Sequence, residues 1–198
     1  NPAIWSLVRA VKDLGEVTVV APAGNQSGVG TALTLRTSLK INEAPSRVDG
    51  VKCYAVSGTP ADSVVLGLDH ILVGGADVVV SGINPGFNTS RNVFISGTMG
   101  AAIQAAAKGV KACAFSMDVE GDFDDPTVKG VIAAITTELL SPDTERGALF
   151  NVNIPAFGDT PIEGVEGAAP APSELKSLIE AHSDGGYEII SGLAVNID

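Results

Sequence analysis

Apolar residues recur at helical spacing near the start of the chain, where Ile4, Leu7, Val8, Val11 and Leu14 share one face and Gly15 ends the run. This predicts a helix over Ala3–Leu14. The pattern then turns β-branched and short. Glu16–Ala21, Lys52–Val56, Asp77–Val80, Lys111–Ser116 and Ala148–Ile154 read as strands, and Asp77–Val80 is apolar on both sides, as a central parallel strand requires. Helices are expected between them, from Pro60 to about Leu72, over Thr98–Lys108 and over Pro126–Leu140. At the first of these, Thr59 can cap, Pro60 fits the first helical position and Asp62 falls in the first turn. Strands alternating with helices predict an α/β, Rossmann-like three-layer sandwich with a mostly parallel sheet. Residues 1–155 form its core. Residues 156–198 form a C-terminal extension, rich in Gly, Pro, Ala and Glu over Gly158–Ser173 and ending in one short predicted helix, Ser173–Ala181.

Charge and composition narrow the partners. A net charge of −11 leaves no basic stripe for polymeric nucleic acid. It permits a small phosphorylated ligand, which a helix N-terminus or a bound cation can hold locally. Apolar content of 45% comes mostly from Ala and Val broken by Gly, and no run reaches the roughly 18 residues that would span a membrane. Cys53 and Cys113 both lie in strand-like runs and read as buried free thiols, which suits a reducing, cytoplasmic compartment.

Candidate chemistry lies in three loops that follow strands, at the sheet edge where ligands of open α/β folds bind. They are Ala21–Gly30, Ser81–Asn88 and Ser96–Gly100. In the last, Gly97 and Gly100 let backbone approach a ligand, the Ser96 and Thr98 hydroxyls can donate to phosphate oxygens, and the following helix aims its unpaired N–H groups at the loop. The same residues would also serve a plain helix cap. Asn84 and Asn88, divided by Pro85-Gly86, can place one oxygen on a cation and one N–H on phosphate, or simply form a turn. Ala21–Gly30 lacks both the P-loop Gly-Lys-Ser/Thr and the dinucleotide glycine spacing. His70 reads as an ordinary helix residue, and no Gly-x-Ser-x-Gly elbow occurs. Asp118, Glu120, Asp122, Asp124 and Asp125 precede a helix, where acids favour the dipole, and read as a solvated loop.

Five ordered stretches carry a more specific signal: GEVTVVAP with QSGVG (Gly15–Pro22, Gln26–Gly30), YAVSGTPADSV (Tyr54–Val64), VVSGINPGFN (Val79–Asn88), SGTMGAA (Ser96–Ala102) and NVNIP (Asn151–Pro155). In order and spacing they resemble the SurE family of 5′/3′-nucleotidases. The resemblance implies a metal-dependent phosphomonoesterase acting on nucleoside 5′- or 3′-monophosphates, with Mg2+ or Mn2+ as cofactor. It also implies a homodimer or homotetramer assembled through the C-terminal region. It assigns Ser27 and Asn84 to the metal, and Asn88, Ser96, Gly97 and Thr98 to phosphate, with Asn88 and Ser96 as the catalytic pair. The family opens on a strand ending in Asn-Asp-Asp-Gly, whose aspartates supply most of the charge around the cation. That motif does not occur here. The expectation is that it lies upstream of Asn1, since Asn1–Leu14 resembles the helix that would follow it. The rival expectation is a non-catalytic nucleotide- or phosphate-binding α/β domain with the same anion loop and no functional metal.

Overall fold

The structure is a computed structural model and describes residues 2–158, 162–169 and 173–196. Helix α1 (Pro2–Val11) leads into β1 (Thr18–Pro22). A long loop reaches β2 (Ile41–Glu43), followed by β3 (Lys52–Val56) and α2 (Pro60–Leu66), which runs into a π-helical turn at Gly67–Ile71. Next come β4 (Val78–Pro85), α3 (Asn92–Ile95), α4 (Gly97–Ala107), β5 (Lys111–Met117), α5 (Pro126–Leu140) and β6 (Leu149–Ile154). A hairpin of β7 (Ser173–Ala181) and β8 (Tyr187–Asn196) closes the order.

The α/β class is as expected, and the helices flank parallel strands on two faces. Strand β5 shows why. Its odd residues Cys113, Phe115 and Met117 pack into a core with Leu7 and Val11 of α1 and Ile132 and Leu139 of α5. Its even residues Ala112 and Ala114 pack against Met99, Ala102 and Ala105 of α4. A strand buried on both faces cannot alternate apolar with polar, so it reads as a continuous apolar run. Small residues on both α4 and β5 let helix and strand approach closely.

The parallel strands lie in two pieces, ordered β1-β3-β2 and β4-β5-β6, with β2 antiparallel to β3. Strands β1 and β4 are not hydrogen-bonded to each other. Between them opens a groove of ≈ 650 Å³ lined by residues such as Leu7, Val17, Val19, Val64, Val78 and Val80. Both edge strands thus turn apolar side chains into the same space.

Three expectations change. The strand expected to end at Val80 continues through Ser81–Pro85, because Ser81, Asn84 and Pro85 stay paired with β5, so only Gly86–Asn88 of the expected Ser81–Asn88 loop lies outside it. The helix from Pro60 is broken after Leu66 by the wider turn. Ser173–Ala181 is a strand, not a helix, because it pairs antiparallel with β8 from Ser173↔Asn196 to Ala181↔Tyr187. Glu, Leu, Lys and Ala in SELKSLIEA favour a helix, but a partner strand of matching length overrides so weak a preference. Both cysteines are free as expected; Cys113 is buried, and Cys53 only partly so. Burial pushes both thiols above their ordinary value. Among the described residues, no helix is long and apolar enough to cross a membrane.

Candidate active site

The first loop leaves the carboxyl end of β1, the second stretch is the last part of β4 through Pro85 and the turn beyond it, and the third opens α4 after the short α3. Ser96 is the N-cap of α4, in extended backbone, and its Oγ accepts the Met99 N–H at 3.2 Å. Gly100 N–H donates to the Ser96 carbonyl at 2.9 Å. The N–H groups of Gly97 and Thr98 have no acceptor among the described residues, as the first turn of a helix dictates. Thr98 is half-buried beside them. An anion placed here meets backbone N–H groups, two hydroxyls and the positive end of the helix dipole.

The Ser27 loop docks on this turn through glycines. Gly30 N–H donates to the Ile95 carbonyl at 2.9 Å. A β-carbon on Gly97 would stand 3.1 Å from the Gln26 carbonyl oxygen, and one on Gly100 would collide with the Gly30 carbonyl. Backbone-to-backbone packing this close admits no side chain, which explains why QSGVG and SGTMG are both glycine-rich. Ser27 itself is exposed, with its hydroxyl 3.3 Å from Asn25 Oδ1.

Asn84, Ser116 and Asn153 stand in register across the carboxyl ends of β4, β5 and β6. Asn84 Nδ2 donates to the Gly86 carbonyl at 2.7 Å, which leaves Oδ1 without a hydrogen bond among the described residues. Asn88 is only 4% exposed. Its Nδ2 donates to Ser116 Oγ at 2.8 Å, its N–H to Asn153 Oδ1 at 2.8 Å, and its carbonyl accepts from Asn151 Nδ2 at 2.8 Å and Asn153 Nδ2 at 3.3 Å. One amide hydrogen and Oδ1 are therefore left for any ligand. Ser116, Asn151 and Asn153 were not singled out as site residues from sequence. The signal was present in NVN, where two polar residues at a period of two share one face of a strand among apolar neighbours.

Four of the five acids in the acidic stretch accept hydrogen bonds or ion pairs nearby. Asp118 Oδ1 accepts Glu120 N–H, Asp122 Oδ1 accepts Asp124 N–H, and Asp125 caps α5 through Thr127 N–H. Asp124 pairs with Arg9 and Lys129; these partners outweigh the upward push of burial and hold its carboxyl below the usual value. Among the described residues, no group of three His, Cys, Asp or Glu could hold a metal. Ser27 Oγ and Asn84 Oδ1 are neutral oxygens, and hard divalent cations require carboxylates. These two residues alone do not fit such an ion.

The chain as a whole is similar to proteins of one family. The family described as Survival protein SurE matches residues 1–176. The 5′-nucleotidase SurE of Dehalococcoides mccartyi (strain CBDB1) is 37% identical over 189 residues, covering 93% of this chain and 69% of that protein. The 5′-nucleotidase SurE of Christiangramia forsetii is 41% identical over 204 aligned positions, covering 100% of this chain and 78% of the relative. The crystal structure of the SurE protein from Aquifex aeolicus superposes with a TM-score of 0.75 at 30% identity, over 98% of this chain and 77% of that one. With glycine-locked loops at the carboxyl ends of its strands and a match across nearly its whole length, the chain belongs to the SurE family.

Proposed function

We propose that this protein is a 5′-nucleotidase, a phosphoric monoester hydrolase that releases phosphate from nucleoside monophosphates. The observation that carries the reading is the cap of α4, where the free N–H groups of Gly97 and Thr98 and the Ser96 hydroxyl lie under a loop locked on by glycine contacts. Fixed donors of this kind favour the charge that spreads over phosphoryl oxygens in the transition state, because they need no reorganisation as it develops. Ser96, Gly97 and Thr98 bind the phosphate. Asn88, held by Ser116 and Asn153, contributes its remaining amide hydrogen from the opposite loop.

Metal dependence is part of the proposal. Ser27 and Asn84 would offer two oxygens to Mg2+ or Mn2+, an ion that would also need carboxylates around it. Mixing the full-length protein with a panel of nucleoside 5′- and 3′-monophosphates should give phosphate release that depends on added divalent ion and stops in EDTA. Undiminished release in EDTA would refute the metal; no release with any divalent ion would leave the non-catalytic phosphate binder as the better reading. A cytoplasmic setting suits the two unpaired thiols.

The quaternary part of the proposal is a homodimer or homotetramer joined through the β7–β8 hairpin. Ile179, Tyr187 and Ile189 are 58%, 77% and 71% exposed there, an apolar surface that a second copy would cover. Tyr187→Asp with Ile189→Asp should convert the species to a monomer in light scattering. A mass that the double substitution leaves unchanged moves the interface elsewhere.

A further inference from the structure

Asp62 is 3% exposed and lies in neither phosphate loop, yet it gathers hydrogen bonds from a distant segment as well as from the cap of its own helix. Thr34 N–H donates to its Oδ1 at 2.9 Å and Thr34 Oγ1 to its Oδ2 at 2.7 Å. Thr59 N–H donates to Oδ2 at 2.8 Å, and Asp62 N–H returns a bond to Thr59 Oγ1 at 3.1 Å. Thr59 Oγ1 in turn donates to the Ala32 carbonyl at 2.7 Å. Burial would push the carboxyl up, but the bonds from Thr34 and Thr59 outweigh it and hold the group below the usual value. Charge is thus retained inside the protein where a neutral residue would suffice to fill space.

A capping box on α2 needs only the bonds between Thr59 and Asp62. The bonds to Thr34 and Ala32 reach the strip that continues directly from Gly30, the residue seated on Gly100 and hydrogen-bonded to Ile95. Gly58 is part of the same latch, since a β-carbon there would press on Asp62 Oδ2 and on Leu39. We propose that Asp62 is a positioning residue, which through Thr34 and Thr59 holds the Ser27–Gly30 loop against the first turn of α4. Its kinetic consequence rests on the phosphatase reading; its structural consequence does not.

Thr34→Val separates the two roles, because it removes the loop-side hydroxyl and leaves the capping box whole. In the full-length protein, hydrogen exchange at the Gly30 and Thr34 amides should speed up about tenfold while amides of β5 stay unchanged. In the same protein, kcat on a nucleoside monophosphate should fall about tenfold with a smaller change in KM, as a displaced loop costs transition-state stabilisation. Asp62→Ala should exceed both effects, and Asp62→Asn, which retains one acceptor, should fall between it and the wild type. Unchanged exchange at Gly30 and Thr34, or exchange raised equally in β5, would reduce Asp62 to a helix cap and overturn the proposal. Local exchange with kcat unaltered in an active protein would overturn it as well. Local exchange in a protein that never turns over nucleotide would uphold the latch and remove the phosphatase reading instead.

Discussion

Gly100→Ala should cost about 2–4 kcal/mol of stability and unseat the Ser27 loop, whereas Gly130→Ala should be neutral or stabilising by about 0.5–1 kcal/mol. Both glycines lie inside helices, α4 and α5, so intrinsic propensity favours alanine at each. Their surroundings differ. A β-carbon at Gly130 meets nothing within 4 Å, while one at Gly100 runs into the Gly30 carbonyl and stands 3.1 Å from Thr31 Cα. The obstacle is backbone, which cannot rotate aside as a side chain would. Relief requires α4 to move from β5, where Ala102, Ala105, Ala112 and Ala114 are packed with no exposed surface, or the loop to lift from α4. Lifting the loop is the smaller cost, since it is fastened by few bonds. Activity should therefore fall further than stability alone accounts for. Denaturant unfolding of both variants beside phosphate release provides the comparison. Equal stability of the two would mean that the loop does not rest on α4.

Local sequence specifies some of these elements and leaves others to tertiary contacts. Strands β1, β3, β5 and β6 and the start of β4 were legible because β-branched and small apolar residues run together between turn residues, whereas the Ser-Gly-Ile-Asn-Pro end of β4 has the composition of a turn and was not. The Thr59 cap was legible because its geometry depends on four adjacent positions. Strand β2 and helix α3, three and four residues long, were missed, since neither spans enough residues to establish a period. Strand β7 was read as a helix because its stability comes from β8, a partner that local propensity does not register. At the candidate site, Ser96–Gly100 was recognisable as a helix start with a possible ligand. What holds it in place was not: Asp62 and Thr34 are 28 residues apart, and Asn88 and Asn153 are 65 apart. Composition reports which residues can donate and accept; only the fold decides which of them meet.

Adding a strand upstream of Asn1, five or six β-branched residues ending in Asn-Asp-Asp-Gly, should raise both stability and turnover. The groove between β1 and β4 is the reason for the first effect. Its apolar walls belong to two strands with unpaired edges, so an inserted parallel strand gains hydrogen bonds on both sides and buries its own side chains against Leu7, Val19 and Val80. Burying three or four such side chains is worth about 1.5–3 kcal/mol each. Ordering the added residues costs about 1–2 kcal/mol per residue. Hydrogen bonds on both edges add to the burial and should raise the melting temperature. The second effect follows from where the strand would end. A strand parallel to β1 and β4 delivers its last residues to the same edge as Ser27 and Asn84, and two carboxylates there add the anionic oxygen that a divalent cation demands. Turnover should then rise by about 100-fold or more over the unextended chain. Asn84→Ala within the extended protein should weaken Mn2+ binding with little change in melting temperature, because Asn84 sits at a strand end rather than in the core. A higher melting temperature with no gain in metal affinity would show that the groove accepts a strand but that Ser27 and Asn84 are not the residues that meet the ion.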